Sequence, residues 1–172
     1  MVKSEEHAVA GELGLMNIEQ VYRVQEINAR YVEAIDDDHL EAWPDFFLDD
    51  GRYLVTTAEN HARGLPLGMI YATSRAMLRD RVRSLRDANV YEAQRYRHVI
   101  GTPIIEPGVD GLVAAQTSFI VARVMHSGET MLFATGRYLD RIVLAANGDA
   151  KFAEKTVLLD SRQIDTLLAI PL

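Results

Sequence analysis

The sequence has no cysteine. That excludes disulfides, zinc–thiolate sites and any iron–sulfur cluster held by this chain itself. It also suits a reducing compartment. No window approaches the run of about 18 apolar residues that a membrane-spanning helix needs. The opening residues, MVKSEEHAVAGELG, are acidic and lack the apolar core of a signal peptide, so a cytoplasmic protein is expected. Basic charge is also short. The net charge is −7 and the pI about 5.2, so the molecule as a whole attracts neither nucleic acid nor an anionic membrane. Recognised catalytic motifs are missing too: there is no G-x-S-x-G elbow, phosphate loop or dinucleotide fingerprint. The five histidines (7, 39, 61, 98 and 126) stand far apart, with no H-x-x-x-H pair.

What is present is an ordinary globular balance, 48% apolar and 25% charged residues in a chain of 172. That length suits one domain, here expected over 17–172 behind a flexible arm at 1–16. Asn17 and Gln20 have capping-box spacing ahead of a helix to about residue 35, with Ile18, Val21, Val24, Tyr31, Val32 and Ile35 on one face. A second cap at Asp38 predicts a short helix carrying Leu40, Trp43, Phe46 and Phe47, divided by Pro44 and ended by Asp49-Asp50-Gly51. A strand is expected at 52–57, a covering loop at 58–72, and a third helix at 74–86 with Leu78, Val82 and Leu85 inward. The period then changes from 3.6 to 2, which predicts strands at 95–105, 112–126, 130–144 and 150–159. Helices followed by long antiparallel strands indicate an α+β fold, with the helices packed on one face of a curved sheet.

Several groups could carry chemistry. The best local metal candidate is Asp36-Asp37-Asp38-His39, although the same residues read more simply as helix caps. Arg75, Arg79, Arg83 and Arg86 form a basic stripe on one helix. They serve either as a solvated face with neighbouring partners or as a surface for the carboxylates of another chain. Asp45, Tyr53, Tyr96 and His98 could converge in an acid–base pocket, as in cone-shaped isomerases and dehydratases. Without such convergence, Arg97 and His98 simply open a strand and make fixed polar contacts there or at an interface.

The ordered segments DDDHLEAWPDFFLDDGRYLVTTAEN, GLPLGMIYATSRAMLRDRVRSLRDA and YRHVIGTPII, followed by ATGRYLDRIV and LLDSRQID, carry a family resemblance. From about residue 17 onward the chain resembles the small (β) subunit of aromatic-ring-hydroxylating oxygenases. The patterns W-P-D-F-F, G-L-P-L and R-H-x-x-G-T-P look most like the salicylate 5-hydroxylase type. The resemblance implies the cone-shaped (cystatin-like) fold shared with nuclear transport factor two, with three N-terminal helices on a strongly curved, mainly antiparallel sheet. It also implies a non-catalytic subunit without a cofactor. The Rieske [2Fe-2S] cluster and mononuclear iron would belong to an α subunit, fed by a ferredoxin and reductase. It further implies a trimer within a three-plus-three hexamer. The arginine stripe, Arg97 and His98 would then be contact or structural residues. A stand-alone isomerase, dehydratase or small-ligand binder of the same fold is the competing expectation.

Overall fold

The computed structural model describes residues 18–66, 68–87, 93–162, 168 and 170–172. The arm expected at 1–16 and the Asn17 cap lie outside the described residues. Helix α1 (Ile18–Asp36) turns Val24, Ile27, Asn28, Tyr31, Val32 and Ile35 inward, following the helical period, while Ile18 points out. It ends where Asp38 adopts a left-handed φ of 59°. There the amides of Asp38 and His39 reach back to the carbonyls of Ile35 and Ala34, so the helix stops before any second one can start.

The short helix expected from Asp38 is therefore absent. Residues 39–46 fold into successive tight turns, with amides 42, 43 and 45 each bonded three residues back, closing in a 3-10 turn at Trp43–Phe46. Pro44 lacks the amide that an α-helix would require, which explains the tighter winding. Strand β1 (Phe47–Thr57) starts earlier than expected, and Asp49-Asp50-Gly51 bulges within it rather than ending a helix. The region read as loop holds α2 (Ala58–Ala62), capped by Thr57 Oγ1 accepting from the Asn60 amide at 3.1 Å, and β2 (Ile70–Ala72). Helix α3 (Arg75–Asp87) follows, with Leu78, Val82 and Leu85 buried as its spacing predicts.

The remaining strands are β3 (Gln94–Ile100), β4 (Ile104–Pro107), β5 (Val113–Met125), β6 (Thr130–Leu144) and β7 (Ala150–Leu159). The expected strand at 95–105 is split at Gly101-Thr102-Pro103. The sheet runs β2-β1-β7-β6-β5-β3, with β4 also on β5, and among the described strands only the β1–β7 pairing is parallel. This is the α+β architecture expected, and among the described residues it comprises three helices, with α2 in place of the one expected from Asp38, and one large, mainly antiparallel sheet. Register shifts at Phe47/Arg52, Val121/Ala122 and Arg141/Ile142 supply the extra residues with which a sheet coils around its contents.

The core fills the concave side. Trp43 is fully buried, with edge-on contacts to Tyr53 at 5.1 Å and Phe47 at 6.0 Å. Trp43→Ala is expected to cost about 3–5 kcal/mol in chemical denaturation, because neighbouring rings cannot close over so large a void.

Candidate functional site

Two buried polar groups and one surface network hold most of the chemistry-bearing side chains. The deepest is a cross-strand pair. Asp140 of β6 and Lys155 of β7 stand directly opposite in register, both on the inner face. Lys155 Nζ donates to both Asp140 carboxylate oxygens at 3.0 Å and to Asn28 Oδ1 of α1 at 2.9 Å. Asn28 in turn donates to Thr117 Oγ1 on β5 at 3.4 Å. The ammonium also lies 3.9 Å from the Tyr138 ring centroid, 4.2 Å from Phe152 and 4.6 Å from Tyr31. Burial pushes the lysine's pKa below its ordinary value, against the pull of Asp140, and pushes that of Asp140 upward. Desolvation thus outweighs the mutual attraction, as expected for a pair removed from water.

The second group answers for His98. Asp36, the last residue of α1, turns its carboxylate into the protein, where Oδ1 lies 2.6 Å from His98 Nδ1 and Oδ2 accepts from the His98 amide at 2.8 Å. With a carboxylate as its partner, Nδ1 carries the proton. Arg97 Nη1 reaches the same carboxylate at 3.6 Å from the outer face. The other ring nitrogen, Nε2, is buried and has no hydrogen-bond partner among the described residues, so the imidazole itself presents no atom to a substrate. A cleft of about 540 Å³ lies beside it, lined by Asp36–His39, Ala93–Tyr96, Ile35 and Ile170, but His98 does not line it.

The expected acid–base constellation does not assemble. Asp45 is on the surface, 3.0 Å from Arg79 Nη2. Tyr53 is in the core, donating to the main-chain oxygen of Leu172 at 3.0 Å and accepting from its amide at 3.1 Å. Tyr31 donates to the same oxygen at 2.6 Å. Burial pushes the Tyr53 pKa up to about 12 and that of Tyr31 well above its ordinary value, so both stay protonated donors. Tyr96 stacks on Phe133 at 5.1 Å and meets the His98 ring edge-on at 6.2 Å. Of the four candidates only Tyr96 and His98 are neighbours.

Nor do Asp36-Asp37-Asp38-His39 form a metal site. Asp36 faces His98, Asp38 pairs with Arg86, and Asp37 and His39 are exposed. Among the described residues no three histidine or carboxylate side chains are placed to share a metal ion.

The arginine stripe of α3 is engaged within the chain. Arg75 pairs with Asp49 and Arg79 with Asp45. Arg86 holds Glu41 at 2.8 Å and both oxygens of Asp38 at 2.8 and 3.0 Å, so α3 is fastened to the turns after α1. Among the described residues Arg83 meets only Asp80 of its own helix, at 3.7 Å, and it stays largely exposed. Sequence reasoning did not single out Asn28, Asp140 or Lys155. A signal was available: period two puts Lys155 with Val157 and Leu159, and Asp140 with Tyr138 and Ile142, on the core face.

Sequence comparison matches residues 30–166 to the family described as ring hydroxylating beta subunit. The β1 subunit of the terminal oxygenase component of terephthalate 1,2-dioxygenase from Comamonas sp. is 44% identical over 150 residues, which cover 87% of this chain and 97% of that protein. The small subunit of anthranilate 1,2-dioxygenase from Burkholderia cepacia is 36% identical over 153 residues, 89% of this chain and 92% of that one. A crystal structure from Novosphingobium aromaticivorans, assigned as the β subunit of an aromatic-ring-hydroxylating dioxygenase, superposes with a TM-score of 0.80 at 39% identity. It covers 91% of this chain and 100% of that one.

Two predictions follow from the charges. Lys155→Met alone leaves the Asp140 carboxylate buried without its counter-charge and is expected to cost about 3–5 kcal/mol. Adding Asp140→Leu should recover most of that loss in denaturant titrations. At the surface, the Arg86 guanidinium lowers the Glu41 pKa from 4.5 to about 2. That stabilisation is complete above pH 4.5 and fades as pH falls toward 2, because the unfolded chain takes up the proton first. In Arg86→Ala, thermal melts across this window should lose that component of acid sensitivity.

Proposed function

The chain belongs to the ring-hydroxylating β-subunit family, and on that premise we propose that it is the structural, non-catalytic small subunit of an aromatic-ring-hydroxylating oxygenase. The relatives named for terephthalate and anthranilate support an aromatic acid as the substrate of the whole enzyme. One structural observation carries the non-catalytic role: the concave side of the sheet is filled by the chain's own side chains, and its buried charged groups pair with one another, Lys155 with Asp140 and His98 with Asp36. A cysteine-free chain cannot ligate a [2Fe-2S] cluster through thiolates. In this reading the Rieske cluster and the mononuclear iron belong to an α subunit. Electrons arrive there from a ferredoxin and reductase, and the small subunit holds the α subunits in place.

The same reading makes the assembly a trimer of this chain within a three-plus-three hexamer, working in the cytoplasm. No described helix is long and apolar enough to cross a membrane. Of the α3 arginines, Arg83 has the most exposed side chain and is the best placed to meet a partner's carboxylate.

Co-expression with an α subunit bearing the Rieske ligands should give a co-purifying complex that contains iron and hydroxylates an aromatic acid. The isolated chain should contain no iron and turn over none. In the complex, His98→Ala should leave the iron content unchanged and act only through stability and assembly. A chain that ignores every Rieske partner and converts a cyclic substrate unaided would overturn the proposal.

A further inference from the structure

The outer face of the sheet is only partly covered. Over β1 and β7, α2 packs on the sheet, Thr156 and Leu158 are buried, and Gly68 lies so close to Leu54 that a β-carbon there would stand 2.5 Å from its side chain. Across β3, β5 and β6 nothing described lies on top. Val99 and Ile120 are directly paired, and Leu132 lies across from Ala122, one pair further along on the same face. Their exposures are 62%, 48% and 67%. An apolar row this open on a sheet marks an interaction surface.

Charge sorts the occupants. The row is flanked by Arg95 and Arg137, both exposed and, among the described residues, without a carboxylate partner. Two such faces meeting like-on-like would set arginine against arginine. The face therefore needs a partner surface that is apolar and acidic, and the chain carries one. At the start of α1, Ile18 and Tyr22 are 88% and 65% exposed one helical turn apart. Glu19 and Glu26 stand beside them, with Glu26 also held by Arg30 at 2.8 Å.

We infer that the outer face of β3, β5 and β6 docks on the start of α1 of a second copy of this chain. The contact joins two different faces, so it is head to tail, and copies related by a closing rotation form a ring. This rests on the self-association proposed above and identifies the surfaces that carry it.

The experiment is sedimentation velocity on the chain alone, repeated with the chain in its α complex. Leu132→Asp, and separately Arg95→Glu with Arg137→Glu, should each raise the self-dissociation constant about 30-fold or more while leaving the circular dichroism and melting temperature near wild type. Glu19→Arg with Glu26→Arg should do the same. A chain carrying all four charge reversals should regain most of its self-association, because both faces have exchanged sign. Wild-type chain that never self-associates, alone or in the complex, would sink the trimer reading itself. Wild type that assembles while Leu132→Asp assembles equally well would sink only the faces named here. Loss of α binding with self-association intact in Leu132→Asp would give this face to the α subunit and overturn the inference.

Discussion

At the centre of the concave sheet one lysine ammonium decides how helix and strands meet. Lys155 is gripped by Asp140 across the β6–β7 hairpin, by Asn28 from α1, and by the faces of three aromatic rings. A charge at that depth is tolerable only with every partner in place, so the register of the hairpin and the position of α1 are fixed together. The extra residue at Ala153 is part of the same arrangement. Phe152 and Lys155 are three apart and would face opposite sides of a regular strand, yet the bulge turns both inward. The aromatic wall and the ion pair therefore share one surface. Tyr31 completes it from α1, and its hydroxyl also holds the main chain of Leu172.

An interior arranged this way supports shape rather than turnover. Its acids and bases are spent on each other: Asp36 on His98, Asp140 on Lys155, and two tyrosines on one main-chain oxygen. A catalytic pocket needs the opposite, polar groups converging on a space a substrate can enter. The surface is correspondingly differentiated, with α3 stitched to the acidic turns by arginines and one part of the outer sheet left open.

Much of the fold was legible because the long strands carry a clean period of two and the turns between β5, β6 and β7 carry glycine signals. The boundaries of β6 and β7 match the expectation residue for residue. The middle of the chain was not legible for an equally physical reason. The cap at Asp38 and the apolar residues after it satisfy a helix pattern, but a left-handed turn at Asp38 and the missing amide of Pro44 leave room only for tight turns. At the site, His98 stood out as a residue, whereas its partner did not. Asp36 lies 62 residues away and read as one of three equivalent aspartates at a helix end, and only the fold turns it inward. Lys155 and Asp140 were hidden by the general rule that charges face water.

The bonds that tie α1 to the sheet span great lengths of chain. Asn28 waits 127 residues for Lys155, and Tyr31 waits 141 for Leu172. The first strand, β1, also finds its inner neighbour only when the last, β7, arrives to lie parallel to it. On the ribosome, then, α1 emerges long before β6 and β7, and the part of its inner face that meets Tyr138, Phe152 and Lys155 stays uncovered until those strands are made. Synthesis must keep that part of the face from other chains until then, and this part of the core closes late.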